Sequence, residues 1–171
     1  DFEAADTAFE EDALCYFTSG TTGYPKMTIH CHGYGLAHQI TGKYWLDLKP
    51  DDLHWNISDT GWAKAAYSSY FGPWTQGTTL FVHHSPVFDP VKTLNLLAEN
   101  PVTTMCGAPT IYRMLELQDH SAYKCPSLRH CDGAGEPLNP EVIETWERAT
   151  GIVIRDGYGQ TETVLACGNF P

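Results

Sequence analysis

Two segments combine residue types that do phosphate chemistry. Thr18-Ser19-Gly20-Thr21-Thr22-Gly23 places four hydroxyls and two glycines in six residues, and Tyr24-Pro25-Lys26 follows. Glycines let a backbone approach an anion closely, and hydroxyls and N–H groups donate to its oxygens. Lys26 adds a mobile point charge suited to phosphate. The GK[ST] ending of a Walker loop is absent. The second segment is Asp156-Gly157-Tyr158-Gly159-Gln160-Thr161-Glu162. Tyr158 offers an aromatic face to a purine, and its flanking glycines leave room for the ring. Thr161 can donate to a phosphate oxygen, and Glu162 is the hard oxygen ligand that Mg²⁺ prefers. Each segment also has a plainer reading: a Ser/Thr/Gly-rich surface turn for the first, and a tight turn with a surface glutamate for the second.

The histidines suggest metal binding only weakly. His30 and His32 flank Cys31 and would share one face of a strand, and His83 and His84 are adjacent. No carboxylate or thiolate set completes either pair at zinc-like spacing.

The elements that position these segments can be read from periodicity. Ala13–Phe17 is a compact apolar run that reads as a buried strand, and Met27–His32 reads as a second one. Leu80–Val82, Thr103–Cys106, Leu128–Cys131 and Ile152–Ile154 read as further strands. Asp89 caps a helix with Pro90 in its first turn and Val91, Leu94 and Leu97 on one face. Another begins near Pro109, with Ile111, Met114 and Leu115 inward. A third runs from the Asn139 cap and Pro140 to Gly151, with Val142, Ile143, Trp146 and Ala149 inward. The alternation predicts an α/β fold, with a mostly parallel sheet flanked by helices and ligand loops at the carboxyl ends of its strands. Residues 1–12 carry six acids and read as an exposed acidic lead-in to a unit spanning 13–171.

Bulk composition narrows the partners. Hydrophobic residues make up 42% of the 171, as in a core-forming chain. A net charge of −11 disfavours nucleic acid and anionic membranes as partners. It does not prevent local phosphate binding, because distant charge is screened over ~10 Å. No segment reaches the ~18 apolar residues of a membrane span. The six cysteines include no CxxC pair, which points to a reducing compartment. The acidic start is unlike a signal or transit peptide.

Thr18–Lys26 resembles the phosphate loop of the adenylate-forming superfamily, and Tyr158–Glu162 resembles its YGxTE motif. Gly133-Ala134-Gly135-Glu136-Pro137 resembles its adenine-contacting turn. Ser58-Asp59-Thr60-Gly61-Trp62-Ala63-Lys64, Phe88-Asp89-Pro90 and Gly107–Leu115 are similar to the mitochondrial type of medium-chain acyl-CoA synthetase. The resemblance implies the middle part of the large N-terminal domain of such an enzyme, with ATP and Mg²⁺ bound and CoA as co-substrate. It places Thr18, Ser19, Gly20, Thr21, Thr22, Gly23, Tyr24, Pro25 and Lys26 on the β- and γ-phosphates. Gly135, Glu136, Pro137, Asp156, Gly157, Tyr158, Gly159 and Gln160 fall around the nucleotide, with Tyr158 stacked on adenine. Thr161 touches the α-phosphate and Glu162 holds the metal; Lys26, Thr161 and Glu162 form the catalytic set. Trp62 lines the acyl tunnel by the same resemblance, although a tryptophan can equally be core.

Acetyl-CoA synthetases carry a tryptophan at the position of Gly159. Glycine there implies room for a longer or aromatic acid, at ~0.8 kcal/mol per buried methylene. The implied reaction joins a small-molecule carboxylic acid to AMP and then to CoA, in the mitochondrial matrix or alternatively in the cytoplasm. Loading of a carrier protein, or a non-catalytic nucleotide-binding module, would use the same residues. Full-length family members are several times longer, which implies that the remainder of the enzyme is missing and that this chain alone does not turn over.

Overall fold

A computed structural model describes residues 2–19 and 23–171. The described residues form eight strands: β1 (Asp12–Thr18), β2 (Lys26–Cys31), β3 (Leu53–Ile57), β4 (Thr79–Leu80), β5 (Thr104–Gly107), β6 (His130–Ala134), β7 (Ile154–Gln160) and β8 (Val164–Gly168). Six of them make a sheet in the order β4-β3-β5-β6-β7-β8, parallel throughout except for the antiparallel β7–β8 pair. β1 and β2 form a separate antiparallel pair.

Helices cover both faces of the large sheet. On one face lie α1 (Gly33–Ile40), α2 (Ala63–Ala65) and α3 (Gly72–Gln76). α1 continues into a π-helical turn at Thr41–Trp45, and a second π-helical stretch at Ala66–Phe71 joins α2 to α3. On the other face lie α4 (Pro90–Glu99), α5 (Pro109–Glu116) and α6 (Pro140–Thr150), each a crossover between successive parallel strands. The alternation of side chains along a strand supplies two cores. Met105 of β5 faces Leu94, Leu97, Tyr112, Leu115, Val142 and Trp146, while its neighbour Cys106 faces Trp45, Leu46 and Tyr67.

The expected helices form where caps and terminators are written. Asp89 accepts a hydrogen bond from the Lys92 N–H at 3.0 Å, and Gly151 ends α6 in the left-handed region at φ 76°. Asn139 precedes α6 without a side-chain cap bond. The inward faces are narrower than the apolar pattern suggests. Leu94, Leu97, Leu115, Val142 and Trp146 are buried, whereas Val91, Met114 and Ala149 are exposed and Ile111 and Ile143 are half-buried. Thr93 and Tyr112 take inward places instead.

Strand positions need four corrections. β1 is not a buried strand; it lies in the small pair and leaves Phe17 72% exposed. An apolar run looks the same in a sheet centre and in a hairpin that packs on one side only. The run read at Leu80–Val82 is strand only at Thr79–Leu80. The sixth and seventh strands start two residues later than read, at His130 and Ile154. β7 runs through Asp156–Gln160, so this part of the segment is strand and not a tight turn.

At the amino ends of β3, β5 and β6, Arg129 grips Asp52 and Asp47. Its Nε donates to Asp52 Oδ1 at 3.0 Å, and Thr103 Oγ1 donates to the same oxygen at 2.8 Å. Burial raises the Asp52 pKa, but the bonds from Arg129 and Thr103 outweigh it and hold this carboxyl below its ordinary range. The opposite, carboxyl ends of the strands are free to build a site.

Candidate functional site

The strand order reverses at β3: the chain passes from β3 out to β4, then back across to β5 on the other side. In open α/β sheets, ligands bind beyond the carboxyl ends of the strands at such a reversal. A cavity of about 410 Å³ lies there. Ile57–Asp59 line it after β3, Ala108 and Ile111 after β5, Ala134–Glu136 after β6, and Gly159–Thr161 at the end of β7. Trp62, Lys64, Tyr67 and Tyr34 close it from the helical side.

The structure brings together Trp62, Gly135, Glu136, Gly159, Gln160 and Thr161 of the residues marked in the sequence. Trp62 is 67% exposed and forms a wall of the cavity, so it is not a core tryptophan. Gly135 turns the chain at φ 113°, a value that favours glycine. Glu136 accepts from Thr110 Oγ1 at 2.9 Å and pairs with Arg113. Those two contacts, Thr110 first, hold its carboxyl below the ordinary range.

Other marked residues lie outside the cavity lining. Ser19, Gly23, Tyr24, Pro25 and Lys26 are exposed around the β1–β2 connection, and Thr18 pairs with Lys26 at its base. Gly20, Thr21 and Thr22 lie outside the described residues. This connection closes an antiparallel pair and is not a loop at the end of a parallel strand. Pro137 is exposed beyond Glu136. Tyr158 is 60% exposed and is paired with Cys167 of β8. Glu162 is exposed in the turn between β7 and β8.

Asp156 and Gly157 serve the strand. Burial raises the Asp156 pKa against the opposing bond from the Gly157 N–H. A Cβ at Gly157 would come within 2.6 Å of the Trp45 ring. Gly159 lines the cavity, and its missing side chain also has a local reason. A Cβ there would lie 1.9 Å from the Val164 carbonyl oxygen, so the β8 backbone occupies the room. Val164 itself sits at φ 51°, a region that β-branched residues avoid.

One hydrogen bond joins the two chemistry-bearing hairpins: His30 Nε2 of β2 lies 2.7 Å from the Thr161 carbonyl oxygen. His30 also begins an aromatic file through Tyr34 and His38 to Tyr67, with successive ring centroids 4.6, 4.5 and 5.2 Å apart. Burial, reinforced by His30, lowers the His38 pKa to about 4, and burial with Tyr16 pushes the Tyr34 phenol upward. Beneath the cavity, His130 Nε2 lies 2.8 Å from Asp132 Oδ1 and 2.9 Å from the Trp45 carbonyl oxygen. Burial raises the Asp132 pKa to about 6; His130 is raised too, because its acceptors outweigh its own burial. Residue spacing alone gave no role to Tyr34, Tyr67, Ile57 or Lys64. They converge from separate elements; Ile57 adjoins and Lys64 ends the Ser58–Lys64 segment, while Tyr34 and Tyr67 lie outside any marked segment.

A family model described as AMP-binding enzyme matches residues 3–171. The chain belongs to the AMP-binding enzyme family. It is 54% identical over 165 residues to acyl-coenzyme A synthetase ACSM3, mitochondrial, of Homo sapiens, covering 96% of this chain and 28% of that protein. It is 50% identical to ACSM4, mitochondrial, of Homo sapiens, with the same two coverages. The chain therefore spans 28% of the length of these relatives. Among solved structures, an acyl-CoA synthetase of Brucella canis superposes with a TM-score of 0.90 at 31% identity, covering 99% of this chain and 31% of that one. An anthranilate CoA ligase, AuaEII, in complex with anthranoyl-AMP superposes with a TM-score of 0.88 at 30% identity, covering 100% and 34%. The mostly parallel α/β architecture is thus that of AMP-binding enzymes.

Proposed function

We propose that the protein containing this chain activates a medium-chain or aromatic carboxylic acid with ATP. The products of the first step are the acyl-adenylate and pyrophosphate; the CoA thiol then displaces AMP. The observation that carries this reading is the convergence of Gly135–Glu136, Gly159–Thr161 and Trp62 on one cavity. The His30–Thr161 hydrogen bond supports it by tying the strand after Lys26 to that wall. The names of the relatives, acyl-coenzyme A synthetases described as mitochondrial, favour CoA as acceptor and the mitochondrial matrix as location.

The chemistry follows from the groups present. A fatty acid, with a pKa near ~4–5 like glutamate, is already ionised at neutral pH, so its attack on the α-phosphorus needs no general base. Catalysis then comes from positioning and from charge stabilisation at phosphorus. In this reading Thr18–Lys26 donate to the β- and γ-phosphates, Thr161 donates to the α-phosphate, and Tyr158 lies against adenine. Glu162 is an exposed carboxylate beside the Thr161 and Thr163 hydroxyls, a donor set that fits Mg²⁺ when phosphates and waters complete its octahedron. The ion would neutralise charge on the phosphates. Residues 13–171 would be part of the adenylating unit. The lead-in is not wholly detached from it, because the Phe9 carbonyl accepts from Gly33 N–H at 3.0 Å.

The test is acid-dependent exchange of pyrophosphate into ATP by the intact protein, followed by AMP release with free CoA or a carrier-protein thiol. Exchange with medium-chain or aromatic acids, and AMP release with CoA, is the expected result. Absence of exchange with every such acid overturns the proposal, and AMP release with the carrier thiol alone replaces CoA as acceptor.

A further inference from the structure

His30 sits where the two chemistry-bearing hairpins meet, and its hydrogen bond falls on a sensitive atom. The Gln160 carbonyl accepts from the Thr163 N–H at 3.2 Å, so Gln160–Thr163 is a β-turn with Thr161 and Glu162 at its two central positions. Thr163 Oγ1 closes the same turn by accepting from the Gln160 N–H at 3.2 Å. Turns of types I and II differ by a flip of the central peptide plane, here the plane that joins Thr161 to Glu162. Type II needs positive φ at the third residue. Among the described residues other than glycine, only Asp47 and Val164 have positive φ, so the flipped form is excluded. The Thr161 carbonyl oxygen that His30 Nε2 meets at 2.7 Å belongs to this same plane. A carbonyl only accepts, so Nε2 carries the proton and donates.

His30 is itself firmly held. Its half-buried ring packs against Tyr16 and Tyr34, with centroids 5.9 and 4.6 Å away. It pairs with Leu14 across the β1–β2 ladder, and Lys26 pairs with Thr18 at the other end of the same strand. The β2 register is regular from Lys26 to His30, so Lys26, Thr28 and His30 project from one face. At ~3.3 Å per residue, Lys26 stands about 13 Å along the strand from His30. The face that carries the lysine is thus pinned, at its far end, to the peptide between Thr161 and Glu162.

We propose that His30 is a positioning residue for adenylation. Its Nε2–H holds the Thr161–Glu162 peptide in one orientation, and so sets where the Thr161 hydroxyl and the Glu162 carboxylate point relative to Lys26. The proposal rests on the roles given to these three residues in acid activation. Without the bond the peptide plane is free to rock, and the two side chains no longer converge on a common phosphate. A misplacement of about 1 Å in such a set costs up to roughly a hundredfold in rate.

The experiment uses the intact protein and measures acid-dependent exchange of pyrophosphate into ATP over a range of ATP and magnesium concentrations. Wild type is compared with His30→Phe, which keeps a ring without the donor, and His30→Gln, which returns an amide N–H near the place of Nε2. His30→Met is a second donorless variant and carries the comparison where phenylalanine lowers the melting temperature. The expected result for the donorless variants is a fall in kcat of about tenfold to a hundredfold, a smaller change in KM for ATP, and a raised magnesium requirement. Glutamine should restore most of the loss. Donorless variants that exchange as fast as wild type, or a loss that glutamine leaves in place, overturn the proposal while acid activation stands. A wild type that exchanges pyrophosphate with no acid overturns both.

Discussion

Glu162 and Gly159 stand three residues apart, and their surroundings predict opposite kinds of failure. Glu162 is exposed, so Glu162→Gln should keep the fold. The substitution should raise the magnesium concentration for half-maximal rate by about tenfold or more, the loss of one charged contact. Titrating magnesium in the pyrophosphate-exchange assay checks this. Gly159→Ala instead forces a methyl against the Val164 carbonyl, 1.9 Å from its ideal Cβ. It should cost about 1–3 kcal/mol in denaturant unfolding, as overpacking does. These residues were legible as chemical types because their partners are neighbours in sequence. Tyr34 and Tyr67 were not, because their place in the cavity comes from elements that meet only in the folded chain. The close approach of the β8 backbone to Gly159 was hidden for the same reason: it comes from another strand.

At the scale of the element, punctuation was the most legible feature. Asp89 and Gly151 bound their helices as written, since a cap bond and a left-handed turn are local matters. Asp89→Ala should therefore cost about 1 kcal/mol, with the loss read as a lower denaturation midpoint at constant slope. Burial was less legible. The run at Ala13–Phe17 has the composition of a central strand, and nothing in its residues reports that, among the described residues, it pairs with β2 alone. The π-helical turns at Thr41–Trp45 and Ala66–Phe71 were also invisible, because they arise where α1 and α3 pack closely. A Cβ at Gly42 would sit 2.7 Å from the Gly72 carbonyl.

For the whole molecule, the alternation of strand and helix was enough to place a site at the carboxyl ends of a parallel sheet, and the cavity lies there. The buried histidines give that molecule a pH dependence. His38 and His54 are lowered from 6.5 to about 4, chiefly by burial, so between those values the unfolded chain binds protons that the folded chain refuses. Stability contributed by the two neutral rings is complete above pH 6.5 and is lost as pH falls toward 4. Asp132, raised to about 6, works the other way with a single proton, and His130 acts only above its ordinary value. Acidification should thus destabilise the fold. Replacing His54 by Gln should flatten the slope by roughly 1.4 kcal/mol per pH unit, measured by denaturant unfolding across that window.

Among the described residues, the β1–β2 pair has no strand ladder to the large sheet. Across to the cavity wall it is joined through His30, whose ring reaches the Thr161 carbonyl. A ligand held by both hairpins would add a further rivet to this flap. Amide deuterium uptake along Lys26–Cys31 should then slow when ATP is added to the intact protein, while uptake in β5 and β6, already sealed within the sheet, stays level.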